Sequence, residues 1–209
     1  ENGYALGEKI DNIDKFYRMG VRYITLCHNG DNQLCDSAMK TVDTHNGLSD
    51  FGRKAIEHMN LLGVMVDVSH AGEKTFWDTI ELSTKPIIAS HSCCKALCRH
   101  PRNLTDDQIR ALAAKGGVLQ ICLYKHFLSD KGTADITDAV RHIMHVVDLV
   151  GADYVGIGSD FDGGGGIGGC EAENEIINIT KALVREGLSD EQIINILGGN
   201  FLRVFNSQS

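Results

Sequence analysis

Apolar positions along this chain fall into two alternating patterns. Five short runs are rich in β-branched residues and nearly free of charge: Val21–His28 (VRYITLCH), Val64–His70 (VMVDVSH), Pro86–His91 (PIIASH), Val118–Tyr124 (VLQICLY) and Tyr154–Asp160 (YVGIGSD). Such runs predict strands covered on both faces. Amphipathic stretches fill the gaps and predict helices over Asp11–Met19, Ser49–Leu62, Gly72–Leu82, Thr105–Lys115, Asp135–Val150, Glu171–Glu186 and Ser189–Leu197. The Ser49–Leu62 stretch opens on a residue suited to capping and carries Phe51, Ala55, Ile56, Met59 and Leu62 at helical spacing. Thr105, Thr137 and Ser189 suit caps or first turns of their helices. Strand–helix alternation implies βαβ units and a mostly parallel α/β sheet. Five strands are enough for an open doubly wound sheet, whereas a (β/α)8 barrel needs eight. The pattern alone does not choose between them.

No linker or repeat divides the 209 residues, so a single domain is the default. The formal net charge of −8 argues against a general nucleic-acid binder, which needs a basic surface to neutralise phosphates. With 43% hydrophobic and 23% charged residues, the chain is a normal globular mixture and not a disordered one. No apolar run reaches the ~20 residues of a membrane-spanning helix. The seven cysteines are odd in number and lack a CxxC pair, so most read as small core residues or free thiols of a reducing compartment. The chain opens on Glu1, not on Met, and polypeptide upstream of it is expected.

The chemistry gathers at the ends of the apolar runs. His28, His70 and His91 close three successive runs, and Asp160 closes the last. In parallel α/β folds, ligands bind at the C-terminal edge of the strands. Neutral imidazole is the commonest metal ligand. One such histidine reads as structural; three with a carboxylate favour a site. Asp160 sits in Gly156–Gly166 (GIGSDFDGGGG), a glycine-rich loop that lacks the GK[ST] of a phosphate loop and the spacing of GxGxxG. Arg102 follows in a loop after His91, and its planar fork suits a carboxylate. His45, His58, His100, His126, His142 and His145 lie in helix or loop contexts and read as structural or solvated.

The stretches ENGYALG, YITLCHNGDN, VDVSH, IIASHS, HPRNL, GIGSDFDG and NFLRVF, in this order from Glu1 to Phe205, resemble the membrane (renal-type) dipeptidases, the zinc dipeptidases of peptidase family M19. The resemblance implies a (β/α)8 TIM-type barrel with two zinc ions at its C-terminal mouth, represented here by its C-terminal five strand–helix units. It implies hydrolysis of dipeptides, including some with a C-terminal D-residue, and a homodimer. By the same resemblance Glu1 bridges both metals, and His70 and His91 bind the second. His28 contacts substrate and the oxyanion, and Arg102 receives the substrate carboxylate. Asp160 is the catalytic acid/base, and Tyr124 lines the site. The family's first metal also takes a His-x-Asp pair, and none of the nine histidines here has Asp two residues on. That pair is therefore expected upstream of Glu1. Two other readings compete: an amidohydrolase acting on non-dipeptide amides, and a barrel that binds ligands without catalysis. Nothing in the chain decides between a cytoplasmic and an exported location.

Overall fold

The computed structural model describes residues 1–208. The chain divides into two compact units, one formed by Glu1–Ala89 with 115–117 and 204–208, the other by Ser90–Ala114 with Val118–Arg203.

The first unit contains α1 (Asp11–Arg18), β1 (Tyr23–Thr25), α2 (Asp50–Leu62), β2 (Met65–Asp67), α3 (Glu73–Leu82) and the start of β3 (Ile88–Ser92). β1 and β2 run parallel, with Tyr23, Ile24 and Thr25 opposite Met65, Val66 and Asp67. β2 meets β3 in parallel at Asp67 and Ile88. Parallel neighbours need a crossover, and α2 and α3 supply it. Ser49 caps α2 by accepting from Gly52 N at 2.9 Å, and Gly63 ends it in the left-handed conformation. Ala55, Ile56 and Met59 are fully buried, the face that the helical spacing anticipates. Gly52 is required by close approach, because a Cβ there would lie 2.0 Å from Leu34 O.

The second unit holds the rest of β3, α4 (Asp106–Ala114), β4 (Val118–Ile121), α5 (Lys125–Leu128), α6 (Ile136–Val150), β5 (Val155–Ile157), α7 (Ile176–Arg185), α8 (Asp190–Ile194) and most of α9 (Asn200–Asn206). β4 and β5 are parallel, with Leu119, Gln120 and Ile121 opposite Val155, Gly156 and Ile157. Cys122 N donates to Ser92 O at 3.1 Å where β4 follows β3. Asp135 and Ser189 close capping boxes on α6 and α8, and Thr137 lies in the first turn of α6.

The strand order is therefore β1-β2-β3-β4-β5, with β1 and β5 at the ends. These five strands do not close into a ring among the described residues. Each regular strand is shorter than its apolar run, so His28, His70 and Asp160 lie on the loops beyond the strands, while His91 stays inside β3. The short α5 and α9 have no counterpart in the hydrophobic pattern. Gly198 and Gly199 interrupt the periodicity before α9, where the chain passes through a π-turn at Asn195–Gly199. The seven cysteines are all free and buried. No helix among the described residues is long and apolar enough to cross a membrane.

His142 is a core residue held on both ring nitrogens. Cys94 N donates to its Nδ1 at 3.0 Å, so its Nε2–H donates to Leu128 O at 3.1 Å. This pairing suits only the neutral ring, and burial pushes its pKa down from 6.5 to about 4. Between those values the unfolded chain binds the proton and the folded chain does not, so stability falls as pH drops from 6.5 toward 4. The loss from this group is about 3 kcal/mol. Urea unfolding across that window should show it, and the His142 ring proton resonance should not titrate above pH 5.

Candidate metal centre

β1 and β2 deliver two imidazoles to one place. After Thr25 the chain buries Leu26 and Cys27 and then presents His28 on an exposed loop. After Asp67 it turns tightly, with Ala71 N donating to Val68 O at 3.0 Å and His70 in the left-handed region at φ 69°. Asp67 builds this turn. It is fully buried, and its carboxylate accepts from Thr25 Oγ1 at 2.6 Å and from Ser69 N at 2.9 Å. The left-handed backbone is costly for a residue with a side chain, and such positions concentrate at functional sites.

The rings of His28 and His70 meet with centroids 4.4 Å apart. Glu1 completes the group: its Oε1 lies 2.8 Å from His70 Nε2. One donor atom from each of Glu1, His28 and His70 lies within 4.8 Å of the others. Glu1 precedes a short 3-10 turn, Gly3–Leu6, and the carbonyls of Gly3 and Tyr4 in it and of Gly7 just after it accept from Gln33 Nε2. A carboxylate with two imidazoles is a donor set that fits a divalent cation with an open coordination position.

The loop from His28 to Leu48 is fixed by two carboxylates. Asp31 accepts from Ser37 N and Thr44 Oγ1, and Asp36 accepts from the backbone N–H groups of Thr44, His45 and Gly47. Ser37 Oγ donates to His28 O at 2.6 Å and lies 3.3 Å from His70 O. Sequence reasoning missed Asp67, Asp36 and Ser37. Asp67 did carry a signal, a carboxylate inside an otherwise apolar run.

The remaining sequence-predicted residues lie in the second unit. His91 is half-buried on β3, with Nδ1 2.7 Å from Ser90 Oγ. Arg102 is buried at 3% exposure, unlike the solvated loop arginine that its context allows. Its guanidinium donates to His91 O at 3.3 Å and Ser92 Oγ at 3.5 Å, and lies 5.3 Å above the Phe127 ring. His100 stacks on the same ring at 4.5 Å. Burial first, and then the charge of Arg102, hold the His100 pKa down.

Asp160 follows β5 in the left-handed conformation. Its carbonyl accepts from Gly163 N and Gly165 N at 3.0 and 2.6 Å. A Cβ on Gly163 would lie 2.2 Å from Asp160 Oδ1, so the glycine run wraps tightly around this carboxyl. The Cys122 thiol donates to Asp160 Oδ2 at 3.7 Å. Burial and the Asp160 charge push that thiol far above its usual range, so it stays a donor. Tyr124 stacks edge-on against Phe127, and its ring edge would meet a Cβ on Gly164 at 3.7 Å.

The family model of the membrane dipeptidases, peptidase family M19, matches residues 1–209. The chain belongs to this family. It is 40% identical over 199 residues to an uncharacterized dipeptidase of Schizosaccharomyces pombe, covering 92% of this chain and 48% of that protein. It is also similar to the crystal structure of the probable dipeptidase PvdM from Pseudomonas aeruginosa, with TM-score 0.96 and 29% identity over 99% of this chain and 67% of that one. A metallo peptidase from Rhodobacter sphaeroides, liganded with a phosphinate mimic of the dipeptide L-Ala-D-Ala, matches with TM-score 0.89 and 26% identity over 100% of this chain and 60% of that one. This M19 chain spans about half the length of the curated relatives it matches.

Proposed function

We propose that this chain forms part of a zinc-dependent dipeptidase that hydrolyses the peptide bond of dipeptides, including some with a C-terminal D-residue. The observation that carries the reading is the convergence of Glu1, His28 and His70 in a member of the M19 family. In this reading Glu1, His70 and His91 would hold zinc, with two ions in the complete site. The fold is a (β/α)8 barrel, to which these five strands contribute. Zinc held there supplies Lewis acidity and lowers the pKa of a water. Asp160 takes the proton of the attacking water and passes it to the leaving amine nitrogen. His28 donates from its ring N–H to the carbonyl oxygen as negative charge develops. Arg102 presents its guanidinium to the free C-terminal carboxylate, which restricts the reaction to short substrates. A homodimer fits this reading where its interface leaves these groups accessible to a dipeptide.

The other ion needs a His-x-Asp pair, which this chain's nine histidines do not form. Full activity is therefore expected only with polypeptide that carries such a pair. In that protein, chelation should abolish cleavage of L-Ala-D-Ala and zinc should restore it, with metal content tracking activity. Cleavage that survives complete metal removal would sink the proposal. Equal cleavage of a dipeptide and its C-terminal amide would instead favour an amidohydrolase of broader amide scope.

A further inference from the structure

We infer that Asn103 is a positioning residue that holds the Phe127 ring beneath the Arg102 guanidinium and so sets where that guanidinium meets a substrate carboxylate; the last step rests on the role of Arg102 proposed above. α5 is a helix of four residues, Lys125–Leu128, too short to satisfy its own backbone. Each of its carbonyls takes a donor from beyond the helix. Ser129 N donates to Lys125 O at 3.1 Å, the Cys98 thiol to His126 O at 3.3 Å, Asn103 Nδ2 to Phe127 O at 2.8 Å and His142 Nε2 to Leu128 O at 3.1 Å. The groups around α5 therefore decide where it sits. Asn103 holds the one residue of α5 whose ring lies under Arg102, at 5.3 Å from the guanidinium carbon.

Asn103 is buried, and its amide also donates to Cys98 O at 2.9 Å. One amide group thus joins α5 to both ends of the loop 98–103, which carries Arg102. The Asn103 Oδ1 has no hydrogen-bond partner among the described residues. A buried acceptor left unpaired is costly, and an apolar side chain of similar size would avoid that cost. The two donor hydrogens are what the amide supplies in return. An aromatic face under a guanidinium attracts the cation and fixes the plane of its fork. His100 packs on the same ring at 4.5 Å, and Arg102 N donates to His100 Nδ1 at 3.2 Å, so ring, imidazole and guanidinium are held as one group. Release of the Phe127 carbonyl lets the ring shift and turns the fork away from its bidentate alignment. A carboxylate held alike in ground and transition states then binds less well, while the chemical step is spared.

The test uses zinc-loaded protein that also carries the His-x-Asp pair, with L-Ala-D-Ala and its C-terminal amide as substrates. Asn103→Leu keeps the side-chain size and removes both donors. It should raise KM for L-Ala-D-Ala roughly tenfold, the scale of one or two lost hydrogen bonds, with kcat nearly unchanged. The kcat/KM for the amide should stay at its wild-type value. In an Arg102→Ala background the same substitution should add nothing to KM, because residues that act through one contact are not additive. The His100 ring-proton resonances, which feel the Phe127 ring current, should move in Asn103→Leu. Asn103→Ser, which retains a single donor, carries the test if Asn103→Leu does not fold, with the same pattern and a smaller rise. Unmoved His100 signals, an equal loss with the amide, or a KM rise that persists in Arg102→Ala would overturn the inference; so would an unchanged KM where Arg102→Ala alone raises it. If Arg102→Ala leaves KM at the wild-type value while the His100 signals still move in Asn103→Leu, the positioning contact stands and the carboxylate role of Arg102 falls.

Discussion

In protein that also carries the His-x-Asp pair, Asp160→Asn is expected to lower turnover roughly 10²–10⁴-fold while leaving zinc content unchanged, because the amide occupies the same space and cannot relay a proton. The Asp160 backbone is pinned by Gly163 N and Gly165 N, contacts that do not involve the side chain. Its carboxyl accepts from the Cys122 thiol, and an amide oxygen can accept the same bond. Metal analysis and kcat for L-Ala-D-Ala, measured on one preparation, separate a lost proton relay from a lost cation. Undiminished turnover would remove Asp160 from the mechanism.

Arg102→Ala should raise KM for dipeptides on the order of 10²-fold, about 3 kcal/mol, with a smaller effect on kcat. A contact made equally in ground and transition states acts on KM in this way. Arg102 is also buried against Ser92, His91 O and the Phe127 ring, so truncation removes packing as well as charge. Two comparisons separate the effects. Arg102→Lys keeps charge and loses the fork, so it should recover part of the affinity. A dipeptide C-terminal amide, which lacks the carboxylate, should be a poor substrate for the wild type and no worse for Arg102→Ala. An unchanged KM for the free dipeptide would exclude carboxylate binding.

Five apolar runs, each dense in Val, Ile and Leu, were enough to place five parallel strands and the helices between them. The reason is physical: strands covered on both faces must be apolar throughout, and α2 or α6 must show one buried stripe. The same pattern singled out His28, His70 and Asp160, which follow β1, β2 and β5, and His91, which lies within β3. Order and spacing also carried the M19 resemblance. Other features depend on residues distant in the chain and leave no periodic trace. The strands stop at Thr25 and Asp67 because the pairing stops there, not because the apolar runs do. The loop that holds Arg102 buries it beside Phe127, although its local sequence resembles any solvated loop. Asp67 reads as an oddity until Thr25, 42 residues earlier, is seen to donate to it. Asn29 is one polar residue among several until the fold sets it against His70, 41 residues away. Composition and periodicity determine which elements form, because burial acts on each segment separately. Only the tertiary structure decides which polar atoms meet, because hydrogen bonds require distances and directions that no local pattern encodes.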